Sequence, residues 1–251
     1  MKKKLTVTLL LIYSLFFVRP LQVLAIDVDE VTTTLNKLAG NNEGSPDTIK
    51  MFVLMTVLTL IPTLLILTTS FTRIIMVLSF VRSSLGTQQT PPNQVLIGIA
   101  LFLTFFIMQP VFGEINETAI QPLMRDEISQ SVALEQAEKP MKAFMLKQTR
   151  EKDLELFLKN SGKDQVAKPE DLSLVIVVPA FLISELRTAF SIGFLIFIPF
   201  LIIDMAVSSI LMSMGMFMLS PVMISLPFKL LLFVLVDGWY LVVESLVRGF
   251  Y

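Results

Sequence analysis

Two stretches of the chain, Met51 to Thr72 and Val95 to Gly113, contain no charged residue. At about 1.5 Å of rise per residue, a helix of either length crosses or nearly crosses a hydrocarbon core. In lipid, backbone groups must pair within one helix or around a closed barrel, so uninterrupted apolar runs predict helices. Composition agrees: 16% of residues are charged, 54% are apolar, and the mean hydropathy is +0.74. A soluble domain holds roughly a quarter charged residues. The expected fold class is all-α, built from membrane-type helical hairpins.

Several chemistries are excluded at once. With no cysteine and no histidine, there are no disulfides, no thiolate nucleophile, no zinc site with Cys or His ligands and no Ser-His-Asp arrangement. A formal charge of −1 points to no nucleic-acid partner. No P-loop or other nucleotide motif is present, and no two acids in the apolar regions fall at a convincing spacing for catalysis. The chain reads as a non-enzyme with no cofactor and no metal.

The organisation follows from the punctuation. Lys2, Lys3 and Lys4, the apolar run Leu5 to Val18, and Val23-Leu24-Ala25 form a leader over 1–25 with a cleavage junction after Ala25. An uncleaved first helix is the alternative. Residues 26–50, with "GNNEGSPD", are an exported polar linker. Residues 51–113 form a first apolar hairpin, with Pro62 placed to kink its first arm. "GTQQTPPNQ" marks a helix end at Gly86 and a new start, Thr90 as N-cap and Pro91 at the first helical position. Arg73 and Arg82, without any acid between 73 and 94, turn the hairpin loop to the cytoplasm, which agrees with an exported N-terminus.

Residues 114–171 carry many charges of both signs, an insert expected on the exported side, in the periplasm of a Gram-negative cell. Met141, Phe144 and Met145, then Leu154, Phe157 and Leu158, have the spacing of one or two amphipathic helices. The simplest reading of this insert is a solvated hairpin without chemistry.

From 172 to 251 the chain is apolar again, but Glu185, Arg187, Asp204, Lys229, Asp237 and Glu244 cut the uncharged runs. A charge facing lipid alone costs at least a few kcal/mol. These residues must therefore pair or face protein or water. Glu185 and Arg187 are two apart and point away from each other on a helix, so each needs a partner elsewhere; Asp204, Lys229 and Asp237 are the candidates. Lys229 and Asp237, two turns apart, would share a helix face. Pairing between helices or subunits competes with an ion or proton relay through Asp204 and Glu185.

Met212, Met214, Met216 and Met218 alternate within "SMGMFMLSPVMISLP". Gly215, Ser220, Pro221 and Pro227 make a continuous helix unlikely there, so part is a loop, tolerated in an apolar setting only where protein or a wet cavity surrounds it. Methionine is flexible and polarizable. A deformable gate and a hairpin tip filled with convenient residues both remain open.

The stretches "PAFLISELRTAFSIGFLIFIPFLIID", "LPFKLLLFVLVDGWYLV" and "FTRIIMVLSFVRSSLGTQQTPPNQVLIGIALFLTFFIMQPV" resemble the FliP family of flagellar export-gate proteins. The resemblance implies a core channel subunit of a bacterial type III secretion apparatus, in the inner membrane and flagellar basal body. Such subunits form a ring-like helical homo-oligomer, a pentamer, with FliQ and FliR, and pass unfolded flagellar proteins. It also implies that the methionine-rich loop lines the constriction, with Met216 and Met218 at the seal, Met214 beside it and Phe217 within it. Family members often have methionine at Phe217 and a second proline at Ser220, which bears on how the seal packs. The related subunits of virulence injectisomes are the alternative; by the resemblance they usually lack a cleavable leader, so the basic leader here favours the flagellar branch.

Overall fold

The computed structural model describes residues 47–87, 89–161 and 169–251, and the regular structure among them is helical throughout. The leader and nearly all of the 26–50 linker lie outside the described residues. The chain divides between Thr63 and Leu64 into two compact units. The described part of the first is the opening of α1 (Asp47–Thr68), which continues past position 62 without a break.

The second unit begins at the end of α1, where hydroxyl side chains take over from the backbone. Thr69 donates to the Leu65 carbonyl at 2.7 Å and Thr72 to that of Ile66 at 3.1 Å, satisfying acceptors that a helix C-terminus leaves open. In α2 (Phe71–Leu85), Ile74, Val77, Leu78 and Val81 are all fully buried. Their spacing is that of one helix face. Gly86 ends the helix with φ 79°, its N–H on the Ser83 carbonyl.

Helix α3 (Asn93–Ile115) starts two residues later than the Thr90-Pro91 start that the sequence predicts. The Thr90–Pro91 peptide is cis, Thr87 donates to the Thr90 carbonyl at 2.6 Å, and Arg82 donates to Asn93 Oδ1 at 2.5 Å. The turn thus consumes both residues. α2 and α3 are the two packed arms of this hairpin. Nor does α3 stop at Gly113: a π turn, Asn116–Ile120, leads into α4 (Gln121–Met124), giving a continuous rod of 32 residues. At about 48 Å, it outruns a hydrocarbon core of about 30 Å.

The insert proper is α5 (Gln130–Gln148) and α6 (Glu151–Asn160). Met145, Phe144, Leu154 and Leu158 bring it onto Val177 and Phe181 of α7 (Leu174–Ser213). α7 runs for 40 residues through Pro179, Pro199 and three charged positions, where the sequence suggests interrupted spans. It packs along α2 with Gly193 at the crossing: a Cβ there would lie 2.4 Å from the Phe80 ring. The chain returns through α8 (Pro221–Leu235) and α9 (Gly238–Arg248), bent by 61° at their junction. Among the described residues, two helices are long and apolar enough to cross a membrane, or three if α8 and α9 form one span.

Candidate functional site: two buried ion pairs and a methionine loop

Glu185 and Arg73 meet in the interior, both almost fully buried. Arg73 Nε donates to Glu185 Oε2 at 2.8 Å while Nη2 donates to Oε1, the two-pronged geometry that suits a guanidinium fork. Nη2 also donates to Gln148 Oε1 at 3.0 Å, and Nη1 to the Gly249 carbonyl at 3.1 Å. The guanidinium carbon sits 3.9 Å from the centroid of Phe250, a cation–π contact. Gln148 Nε2 completes the knot on the Phe250 carbonyl at 3.2 Å. One arginine thus joins α2, the end of α5, α7 and the segment after α9.

The neighbouring residue on α7 holds the other side of the α5–α6 junction. Ser184 donates to Asp153 Oδ2 at 2.6 Å and accepts the Arg150 backbone N–H at 3.1 Å. Arg150 in turn pairs with Asp153, at 2.6 Å for the closest contact.

Lower on α7, Lys229 Nζ lies 2.5 Å from Asp204 Oδ2 and 3.3 Å from the Ser84 carbonyl. That carbonyl is one of the open acceptors at the end of α2. An ammonium there satisfies a hydrogen bond and complements the negative end of the helix dipole. Ser225 donates to Asp204 Oδ1 at 2.5 Å, so both carboxylate oxygens have partners. Lys229 is 2% exposed, so this joint of α2, α7 and α8 is sealed on its cationic side.

The structure separates the remaining charged candidates from these joints. Arg187 and Asp237 are exposed and make no ion pair among the described residues. The shared face expected for Lys229 and Asp237 does not exist, because the helix breaks between them: Asp237 has φ 52° and stands at the N-cap of α9. The partner of Glu185 is none of the three candidates available in the apolar C-terminal part, Asp204, Lys229 and Asp237. Arg73 lies 112 positions away. Its signal in the sequence is a base in an apolar setting without any acid nearby, which demands a distant counter-charge. Glu244 pairs with Arg248 one turn on, at 2.7 Å.

The methionine stretch is the tip of the α7–α8 hairpin. α7 closes by a Schellman motif: the Met216 N–H reaches the Leu211 carbonyl at 3.0 Å and the Gly215 N–H that of Met212 at 3.1 Å. Gly215 has φ 74°, a conformation costly for residues with a Cβ. Ser220 then precedes Pro221 at the first position of α8. Met212 lies in the last turn of α7, and Met214, Met216, Phe217 and Met218 follow its end, all exposed. Among the described residues, no cluster of three His, Cys, Asp or Glu side chains is placed to hold a metal.

Long apolar helices whose buried charges are neutralised inside the fold define a multi-pass helical membrane protein. The FliP family model matches residues 54–246. The flagellar biosynthetic protein FliP of Bacillus subtilis is 62% identical over 212 residues, covering 84% of this chain and 96% of that protein. Proteins of the same name from Pectobacterium carotovorum and Aquifex aeolicus are 53% and 52% identical, each over 81% of this chain and over 79% and 86% of their own lengths. The chain belongs to the FliP family.

Proposed function

We propose that this chain is a core channel subunit of the flagellar type III protein export gate, a non-enzymatic conduit for unfolded flagellar proteins. Family membership supports the pathway. In this reading five copies assemble with FliQ and FliR in the bacterial inner membrane, and the methionine loops of neighbouring copies meet to close the pore.

The observation that carries the sealing role is the loop itself. A glycine-dependent Schellman turn holds its backbone, while Met214, Met216, Phe217 and Met218 turn outward with large exposed surfaces. Soft unbranched side chains on a fixed backbone can meet copies of themselves and yield to varied substrates. An apolar constriction also excludes water and ions by dewetting. A relay through Glu185 and Asp204 fits less well. Both oxygens of each carboxylate are engaged, and the two lie 19 residues apart on α7, about 28 Å at helical rise.

The test is leakage. Changing Met214, Met216 and Met218 together to alanine should raise the passage of small solutes through membranes carrying fully assembled complexes. Unchanged sealing in such complexes would remove the role.

A further inference from the structure

We infer that the methionine loop is a modification site: its thioethers react with peroxide, and their oxidation opens the seal proposed above, on which this inference rests. The chain has no cysteine, so no thiol competes for a two-electron oxidant. On the single chain Met212, Met214 and Met218 are 60%, 61% and 101% exposed and Met216 is 41% exposed, Met205 and Met223 outside the turn are exposed as well, and Met108 and Met145 are buried at 0% and 1%. Oxidation follows exposure, and the fold provides both classes of methionine in one molecule. The Schellman turn is made of backbone bonds alone, so a changed side chain leaves it standing.

The chemistry balances without further parts. A lone pair on Sδ attacks one oxygen of hydrogen peroxide; an S–O bond forms, the O–O bond breaks, and after proton transfer the other oxygen leaves as water. Sulfur loses two electrons and the peroxide gains them. The product is a polar sulfoxide in place of an apolar thioether. A constriction that excludes water because it is apolar becomes wet when ringed by such acceptors. Methionine sulfoxide reductases reverse the change.

Vesicles carrying the full chain assembled with its partner subunits would be treated with hydrogen peroxide. Solute leak and, by peptide mass spectrometry, the sites of added oxygen would then be followed. The loop peptide should gain oxygen while those holding Met108 and Met145 do not. Leak should rise to the level of the triple alanine variant and fall again after reductase treatment. A variant carrying Met212→Leu, Met214→Leu, Met216→Leu and Met218→Leu should stay sealed under peroxide, although Met124, 78% exposed and outside the loop, still oxidises. Oxygen added evenly to loop and buried methionines, or a leucine variant that leaks like the parent, would overturn the inference. A fully oxidised loop without leak, beside a leaking alanine variant, overturns the oxidation step and leaves the seal standing. No leak from either overturns both.

Discussion

Arg73 engages four acceptors with one side chain, so its pair with Glu185 is poorly served by conservative change. Glu185→Gln keeps the shape but leaves a buried guanidinium without its counter-charge. Removing one partner of a buried pair costs about 3–5 kcal/mol, whereas replacing both by apolar residues is often neutral. Thermal unfolding of the purified protein should therefore show a large loss for Glu185→Gln and a smaller one for Arg73→Met with Glu185→Leu. Equal losses would mean that the knot acts through packing alone. The sequence makes both residues conspicuous as charges in apolar surroundings. It does not pair them, because the pairing depends on α2 lying along α7, and neither spacing nor periodicity encodes that. Asp237 shows the opposite failure: an eight-residue spacing means a shared face only while the helix is unbroken.

At the level of elements, α7 was the least legible. Its charges suggest interrupted spans, yet it is one rod, since Glu185 and Asp204 are neutralised from other helices while Arg187 stays exposed. Similarly, Glu114 and Glu117 suggest that α3 has ended. Polar residues end a membrane span but not a helix, and the backbone runs on to Met124. The apolar runs themselves, the helix end at Gly86 and the helical character of the insert, though not its division into two helices, can be read directly from residue pattern. What the pattern lacks is closeness of approach. Gly193 lies mid-run without any turn, and its reason is the Phe80 ring that its missing Cβ admits. Gly193→Ala should destabilise the protein by about 1–3 kcal/mol, the usual range for overpacking. Adding Phe80→Leu should recover part of the loss in the same melting experiment. No recovery would place the strain elsewhere.

Across the whole molecule, α2 is a short strut held near both of its ends, by Arg73 on Glu185 of α7 at one and at the other by Lys229 of α8, which bridges the Ser84 carbonyl to Asp204 of α7. Between Arg187 and Asp204, α7 carries no charge. In the proposed reading Asp204 acts as a joint, and Asp204→Asn should lower the amount of assembled complex recovered from membranes. Export per assembled complex should stay unchanged. Normal assembly with abolished export would instead restore the relay. The joints are also the part of the candidate site that three-dimensional proximity alone reveals, while the methionine loop announces itself in composition.

The contact of Arg73 with the Gly249 carbonyl spans 176 positions, and that separation sets an order of events during synthesis. A ribosome adding about 5–20 residues per second needs roughly nine to thirty-five seconds between the two residues. Gln148 and Glu185 are made within that interval, but the guanidinium lacks its last acceptor until the end of it. The first-made part of the compact unit is therefore among the last to be locked. A chain cut short before Gly249 would leave one donor of Arg73 without its acceptor, 176 positions upstream of the cut.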